Sequence, residues 1–563
     1  MKRRQLLAGG VVVAGVSAGG AAWLYFRSHA SQALGGGPFR HYPFDPVAAE
    51  NFQQKLFIPL ASGPFGVLDV AGPLQLRATA ASFPLLPGPP SQAPSPFLLY
   101  QTEHAGQAYQ NPILRIESGA RFTARLDNAL AEPTIIHWHG LHTPAKMDGH
   151  PGDTIAPGAR YDYDFTVRNR GGTYWYHTHA HKLTAKQAYN GLASFFLVDD
   201  DDQRKLAKAL ELRLGVTDIP LVIQDKRFDA QGQLLYRPNM HESMMGWLGD
   251  IVLANLTPNA VHTVSPRTYR LRLLNGSNAR IYRLAFVKGL NGGQTLPFTV
   301  IGTDGGLIER PETVTEALLA PGERLDVLFD AGQAQPGDTV FLKSLAFDPM
   351  ENEGAAGGMG GMGGMGSRGG QGGQGMSQMM ADMGSSRLAL GAAFNVLKLS
   401  VTAGERVVAT LPAALSEIKP IRTEEAAERK IDLSMQAMRF LINGRSFRMD
   451  EIAFDVKRGA VEIWRISNPK LGMPHPMHLH GFSFQVLERL NSPPQWSAMA
   501  RFGKGRMVSD LGWKDTVLVW PGETVRVAID FAHDFPGNQT YLFHCHNLEH
   551  EDAGMMINFR VQA

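Results

Sequence analysis

The residues best suited to chemistry in this chain are four pairs of histidines, each spaced two apart: His137/His139, His177/His179, His478/His480 and His544/His546. In a β-strand, residues i and i+2 face the same side, so each pair offers two imidazoles to one side. Imidazole nitrogens are common ligands of transition metals. Because 19 histidines in 563 residues would give on the order of one such pair by chance, the set predicts metal binding.

The tripeptide His544-Cys545-His546 holds the only cysteine of the chain, which therefore has no internal disulfide. The same alternation sends the thiol to the face opposite the two imidazoles. One tripeptide could thus touch two different metal sites and connect them covalently. This arrangement indicates electron transfer between the two sites.

The residues around Cys545 fit a blue-copper site, which needs two imidazoles, one thiolate and a weak axial thioether. His475, Cys545, His550 and Met555 supply that set. His475 is an odd number of residues from His478, so on a continuing strand it faces the cysteine side. A zinc site would explain the histidines and the cysteine but not the axial methionine.

The eight paired histidines suit three copper ions with open positions for a small oxidant. Two pairs come from the first third of the chain and two from the last quarter. We therefore expect the cluster at the interface between the first and the last domain, where domain contact and active site coincide.

Length and charge limit the alternatives. A chain of 563 residues fits about three domains. With 54 basic and 52 acidic residues the net charge is +2, and no run of like charges indicates a nucleic-acid partner.

The N-terminal segment 1–35 begins Lys2-Arg3-Arg4 and continues into an apolar stretch, which is the layout of a twin-arginine export signal. We therefore expect a periplasmic protein. The apolar stretch is also long enough to remain as a membrane anchor, so membrane attachment is expected only if the segment is not cleaved.

Short alternating or apolar runs separated by Gly, Pro and Asn predict an all-β chain of three β-sandwiches. Examples are 121–126, 269–274 and 461–466. The expected domains are 55–200, 214–401 and 430–563. Short helices are expected at 201–212 and 424–429.

The second domain is interrupted at 353–386 by a segment rich in glycine, glutamine and methionine, whose composition cannot form a core. Soft thioethers select Cu(I), so this insert is a candidate for capturing or delivering cuprous ions rather than a simple spacer. Its methionines are Met359, Met362, Met365, Met376, Met379, Met380 and Met383.

Four segments together resemble the copper-binding motifs of the multicopper oxidases: HWHG at His137, YHTH at Tyr176, HPMHLHG at His475 and HCHNLEHEDAGMM at His544. The resemblance covers nearly the whole mature chain. It implies three cupredoxin-like Greek-key domains, four copper ions (one type 1, one type 2, two type 3) and O2 as the electron acceptor. The type 1 ion is implied in the third domain and the other three between the first and third.

The resemblance also implies individual roles. His137 and His478 correspond to type 2 ligands, and a further set corresponds to type 3 ligands: His139, His177, His179, His480, His544 and His546. Asp148 and Glu551 correspond to carboxylates that supply protons for O2 reduction. His142, His150 and His181 fall outside the family's ligand positions.

The reductant stays open at this stage. The methionine-rich insert and Met473, two residues before His475, favour Cu(I) oxidation and a role in copper tolerance. However, copper-efflux oxidases carry the insert in the third domain and an acidic residue where this chain has Leu471, while some laccases from thermophilic bacteria carry a second-domain insert. Oxidation of phenols or aromatic amines is therefore the alternative.

Two further hypotheses remain, one from another functional class and one for another oxidoreductase. A copper-binding or cell-division scaffold could keep the sandwiches without oxidase activity, but such relatives usually lack the copper ligands that are present here. A copper nitrite reductase would have two domains and a different histidine spacing. The protein itself is expected to be a monomer.

Overall fold

The computed structural model describes residues 52–86, 94–289, 293–354, 386–408 and 410–563. The predicted export segment 1–35 and the seven methionines predicted to bind Cu(I) in the insert lie outside these ranges. The described residues form six β-sheets, which pair around three main hydrophobic cores.

The first pair of sheets surrounds a core that contains Leu76, Phe122, Trp138 and Phe196. The six-stranded sheet has the order Arg160–Thr166, Arg121–Asn128, Leu74–Phe83, Ser95–His104, Gln107–Gln110 and Gly63–Pro64. The five-stranded sheet has the order Val67–Asp69, Ile113–Glu117, Ala193–Asp199, Gly172–Thr178 and Ile136–His137. This second sheet contains His137 and His177, and their pair members His139 and His179 lie just beyond the ends of the same strands.

The second pair of sheets has seven strands in each. One sheet runs Gln54–Lys55, Ala260–Val264, Phe394–Val401, Thr339–Ser344, Tyr282–Lys288 and Thr295–Leu296, with Ala317–Leu319 added beside Tyr282–Lys288. The other runs Thr257–Pro258, Ile251–Ala254, Asp218–Lys226, Thr268–Asn275, Arg324–Asp330, Phe298–Thr303 and Gly306–Val314. The strand Gln54–Lys55 thus pairs with Ala260–Val264 although it begins at the edge of the predicted first domain.

The third pair of sheets has five strands in each, and its core includes Cys545 and Met555. One sheet runs Arg439–Ile442, Ala427–Gln436, Val461–Ser467, Thr524–Asp530 and Phe484–Leu490. The other runs Ile452–Lys457, Met556–Gln562, Gln539–Cys545, His475–Leu479 and Thr516–Val519. The predicted fold class, all-β with cupredoxin-like sandwiches, is confirmed.

Helices are short and lie in the connections. The described α-helices are Thr184–Tyr189, Asp201–Ala209, Met240–Met245, Glu351–Gly354, Pro494–Ser497 and Leu548–Asp552. The helix predicted at 201–212 is present, and the Asp200 side chain caps it by accepting a hydrogen bond from the Gln203 N–H. In the described part of the chain, no helix is both long and apolar enough to span a membrane.

The helix predicted at 424–429 is wrong. The chain there enters the strand Ala427–Gln436, which pairs in parallel with Val461–Ser467. Arg429 forms an ion pair across the ladder with Glu462 at 2.6 Å, and Ile431 is buried in the core of the third sheet pair. Sheet pairing and burial therefore override the helical propensity of a stretch rich in Glu, Ala and Arg.

Candidate metal centre

Two neighbouring strands, His475–Leu479 and Gln539–Cys545, set which side chains face which way. In their antiparallel ladder Met477 lies opposite Cys545, and His478 lies opposite His544. Met477 and Cys545 face the core of the third sheet pair, so His478 and His544 face outwards. The alternation inferred from the sequence therefore separates the thiol from the paired histidines.

The thiol side forms a compact three-residue set. Cys545 Sγ lies 3.4 Å from His475 Nδ1 and 3.6 Å from His550 Nδ1, and these two nitrogens lie 3.3 Å from each other. His550 is held by the helix Leu548–Asp552, and its outer Nε2 donates to the Met244 carbonyl oxygen at 3.0 Å. Met555 is buried in the same core, and its carbonyl oxygen accepts from the Cys545 N–H.

The eight paired histidines come together on the outward side, at the contact between the first and third sheet pairs, and all eight are buried. Converging ligand atoms occur in the groups His137/His139/His177, His137/His478/His480 and His179/His480/His544. The His546 ring lies 5.0 Å from that of His139 and 5.4 Å from that of His177, measured between centroids. Both ring nitrogens of His546 are buried without a hydrogen-bond partner.

Hydrogen bonds to backbone carbonyls fix the protonation of two facing imidazoles. His137 Nδ1 donates to the Asp148 carbonyl oxygen at 2.7 Å, and His478 Nδ1 donates to that of Asp515 at 2.9 Å. Because a carbonyl can only accept, each Nε2 is left with a bare lone pair. These two Nε2 atoms lie 3.3 Å apart, a repulsive contact unless a proton or a metal cation lies between them.

A second pair repeats this geometry. His480 Nδ1 lies 2.7 Å from Asp148 Oδ2, and His544 Nδ1 donates to the Cys545 carbonyl oxygen at 3.0 Å. Their Nε2 atoms are 2.9 Å apart, and His179 Nε2 is 3.4 Å from that of His544. The lone pairs therefore converge on shared points, as they do in a metal cluster.

Burial disfavours a proton between the facing imidazoles, because desolvation lowers the pKa of His137 and of His480. Desolvation, with repulsion from neighbouring imidazoles, lowers the pKa of His177 to about 3, and desolvation lowers that of His179 to about 4. Desolvation also lowers the pKa of His550 to about 3 and raises that of the Cys545 thiol. His177, His179 and His550 are thus neutral near pH 7, and a bound cation would be needed to make Cys545 a thiolate. This donor chemistry fits copper.

Two predicted carboxyl groups lie beside the cluster, and their pKa values shift in opposite directions. Burial raises the pKa of Asp148 well above its usual range, and its Oδ1 has no partner. Glu551 lies 3.2 Å from His544 Nδ1 and 3.5 Å from His179 Nδ1. Burial alone would raise the pKa of Glu551, but the neighbouring imidazoles outweigh burial and lower it. The pKa values of these two carboxyl groups are therefore shifted in opposite directions.

The sequence reasoning missed Asp515. Its Oδ1 lies 3.0 Å from His139 Nε2, and its carboxylate forms a buried ion pair with Arg324. Together with His139 and His478 it makes a further group of converging ligand atoms. Asp515 belongs to none of the four motifs, so residue spacing gave no signal for it.

The neighbouring histidines left out of the prediction stay outside these groups. His142 Nδ1 donates to the Gly481 carbonyl oxygen at 2.6 Å, and His150 Nε2 donates to Asn558 Oδ1 at 2.8 Å. The His181 ring packs against Phe447. Met473, predicted to bind Cu(I), is half-buried, and its carbonyl oxygen accepts from Asn468 Nδ2.

Comparison with known proteins gives a consistent result. Two family profiles, both described as multicopper oxidase, match residues 101–203 and 421–563. The chain is 30% identical over 450 residues to a laccase of Bacillus subtilis, which covers 75% of this chain and 78% of the laccase. It is also 30% identical over 518 residues to the cell division protein FtsP of Sodalis glossinidius, covering 88% and 96% of the two chains.

The crystal structure of the McoA multicopper oxidase from the hyperthermophile Aquifex aeolicus resembles the present structure with a TM-score of 0.76. The two chains are 38% identical, and the match covers 91% of this chain and 100% of the other.

Proposed function

This chain belongs to the multicopper oxidase family, and we propose that it couples four one-electron oxidations to the reduction of O2 to water. The proposed reductants are Cu(I), phenols or aromatic amines. One observation carries the proposal: Cys545 lies within 3.6 Å of two imidazole nitrogens, while its neighbours His544 and His546 face a separate histidine cluster.

We assign four copper ions to these residues. His475, Cys545, His550 and Met555 would hold the type 1 ion, and His137 and His478 the type 2 ion. The remaining six would hold the type 3 pair: His139, His177, His179, His480, His544 and His546. Bound copper would supply one-electron redox chemistry at the first site and reduction of O2 at the cluster.

The protein itself links the two sets of copper ligands and supplies acidic groups beside the cluster. The backbone and side chains of residues 544–546 link the two ligand sets covalently. Burial raises the pKa of Asp148, so this carboxyl group can hold and donate a proton; its Oδ2 lies beside His480 and its Oδ1 makes no hydrogen bond. Glu551 lies beside His179 and His544, where its carboxyl group can relay a proton to the cluster.

Cu(I) is the reductant that the surface near the type 1 set favours. The Met244 carbonyl covers the outer nitrogen of His550, and Met240 and Met245 on the same helix are 58% and 38% exposed. Thioethers select Cu(I), so this helix and the methionine-rich insert together offer soft ligands. Similarity to a laccase supports aromatic reductants as the alternative.

Oxygen consumption tests the reductant. The copper-loaded protein is assayed with Cu(I) and with a phenol, first intact and then with 357–384 deleted. A second variant changes the seven insert methionines to leucine, so that chain length is kept. If the insert delivers Cu(I), both variants lose rate with Cu(I) only. Loss of rate with the phenol as well, or with neither substrate, contradicts a role in Cu(I) delivery.

The scaffold alternative rests on the similarity to FtsP. Cys545→Ser separates the two hypotheses, because it removes the thiolate of the type 1 set while leaving the eight paired histidines in place. The oxidase proposal expects loss of the intense blue absorption and of oxygen consumption with every reductant. A wild-type protein that binds copper but consumes no oxygen would favour a scaffold.

We further propose that the three sheet pairs correspond to domains 55–200, 214–401 and 430–563, apart from the strand Gln54–Lys55, which joins the second pair. We also propose that the protein acts as a periplasmic monomer in copper tolerance. Export is tested by changing Arg3 and Arg4 to lysine, which should abolish twin-arginine transport and leave the protein in the cytoplasm. Growth on copper with and without the gene tests the physiological role.

A further inference from the structure

A small cavity lies between the first and second sheet pairs, outside the metal centre. Its volume is about 30 Å³, which is room for about two water-sized molecules. Most of its wall is apolar and includes Phe97, Phe195, Val222 and Leu274. The remaining wall includes Trp175 and Ala193, which belong to strands that also carry or adjoin the histidine cluster.

Trp175 and Ala193 place this cavity directly beside His177. Trp175 and His177 share one face of the strand Gly172–Thr178, and their rings stack with centroids 4.2 Å apart. Ala193 is the residue paired with His177 across the ladder. The Trp175 ring also lies 4.9 Å from that of His139. One indole ring and one methyl group therefore separate the cavity from the cluster.

The lining offers little to water. Ser194 Oγ donates to the Asn111 carbonyl oxygen, Gln224 Nε2 donates to that of Gly276, and Asn255 Nδ2 donates to that of Pro220. Trp175 Nε1 is buried without a partner, so a bound water would find this donor and the second N–H of Gln224. Buried water usually makes about three hydrogen bonds, whereas small apolar cavities stay dry and bind apolar guests such as xenon.

We propose that this cavity is a holding site for molecular oxygen, from which O2 reaches the cluster past Trp175 and Ala193. O2 is small and apolar, and it fits both the volume and the chemistry of the wall. The proposal rests on the proposed oxidase function, which makes O2 the substrate consumed on the far side of Trp175.

Xenon and an oxygen electrode test this site. Crystals of the copper-loaded protein under xenon pressure should show a xenon atom against Trp175 and Val222. Val222→Phe fills the cavity, so it should remove the xenon and raise KM for O2 about threefold or more, with kcat and KM for the reductant unchanged. Val67→Phe is the matched control, because Val67 is a half-buried valine of the same apolar cluster that does not line the cavity. It should change neither measurement.

The outcomes separate this inference from the oxidase proposal. Absence of xenon from the wild-type cavity, or an unchanged KM for O2 in Val222→Phe, overturns the holding site even if the enzyme is fully active. An equal rise in KM for O2 in Val67→Phe also overturns it, because the effect would then be one of general packing. A copper-loaded wild type that consumes no oxygen overturns the oxidase function, whatever the xenon result.

Discussion

Arg324 is a buried cation beside the metal centre, where segments of all three sheet pairs meet. Arg324→Met should destabilise the protein strongly. Its guanidinium is fully buried and pairs with Asp515, which in turn contacts His139. It also donates to the carbonyl oxygens of Thr173 and Asp304, each at 3.0 Å. Arg324 therefore joins strands of the first and second sheet pairs to a residue of the third.

The size of the effect follows from burial. Burial alone would raise the pKa of Asp515, but Arg324 outweighs burial and holds it well below its usual range. Removing one partner of a buried pair leaves an unpaired charge and costs about 3–5 kcal/mol. At about 2 °C or more per kcal/mol for a large domain, Tm should fall by roughly 6 °C or more.

The pH dependence has a definite sign. Because the pKa of Asp515 is lower in the folded than in the unfolded protein, its pairing stabilises the fold above about pH 4 and is lost as the pH falls further. The difference in Tm between wild type and Arg324→Met should therefore be largest near neutral pH and shrink in acid.

Thermal unfolding of the copper-free proteins measures this effect without a contribution from metal binding. Arg168→Met is the control, since Arg168 also pairs with an aspartate, Asp534, but the two side chains are 43% and 65% exposed. An exposed pair contributes about 1 kcal/mol or less. The double variant Arg324→Met/Asp515→Leu should regain much of the lost stability, because no buried charge is left unpaired.

Two results would refute the reasoning. One is a loss of stability in Arg324→Met no larger than that in Arg168→Met. The other is a double variant that is no more stable than Arg324→Met alone, since the cost would then not come from the unpaired Asp515.

Three further predictions concern protons and copper. Lys226 is buried, and desolvation lowers its pKa to about 7. Between about pH 7 and 10 the unfolded chain therefore binds more protons than the folded chain, so the free energy of unfolding of the wild type should rise with pH. Lys226→Met should lack this rise, which is at most about 1.4 kcal/mol per pH unit, and urea unfolding at several pH values checks it. Asp148→Asn and Glu551→Gln should each lower oxygen consumption by about 10²-fold or more while the blue absorption is kept; unchanged turnover in both would remove them from proton supply. Removing copper with a chelator should lower Tm and reloading should restore it, because each occupied site adds about 2.7 kcal/mol to the free energy of unfolding at a free copper concentration 100 times Kd. A Tm that copper does not change would contradict the assigned ligands.

Local alternation made much of the site predictable from the sequence. A strand places i and i+2 on one face whatever surrounds it, so the histidine pairs and the opposed thiol of Cys545 could be deduced before any fold was known. The four motifs then identified the family and, through it, Asp148 and Glu551.

Tertiary structure alone decided which of these groups meet. His137 and His478 are 341 residues apart, and their facing Nε2 atoms depend on how two sheet pairs dock. Asp515 and its partner Arg324 carry no motif, since a buried ion pair needs only complementary charge at one point in space. The same holds for the strand Ala427–Gln436, where pairing with a distant strand overrode a helical sequence. Residue spacing within a strand determines to which side of the backbone each side chain points. Contacts between distant segments depend instead on the packing of the whole molecule.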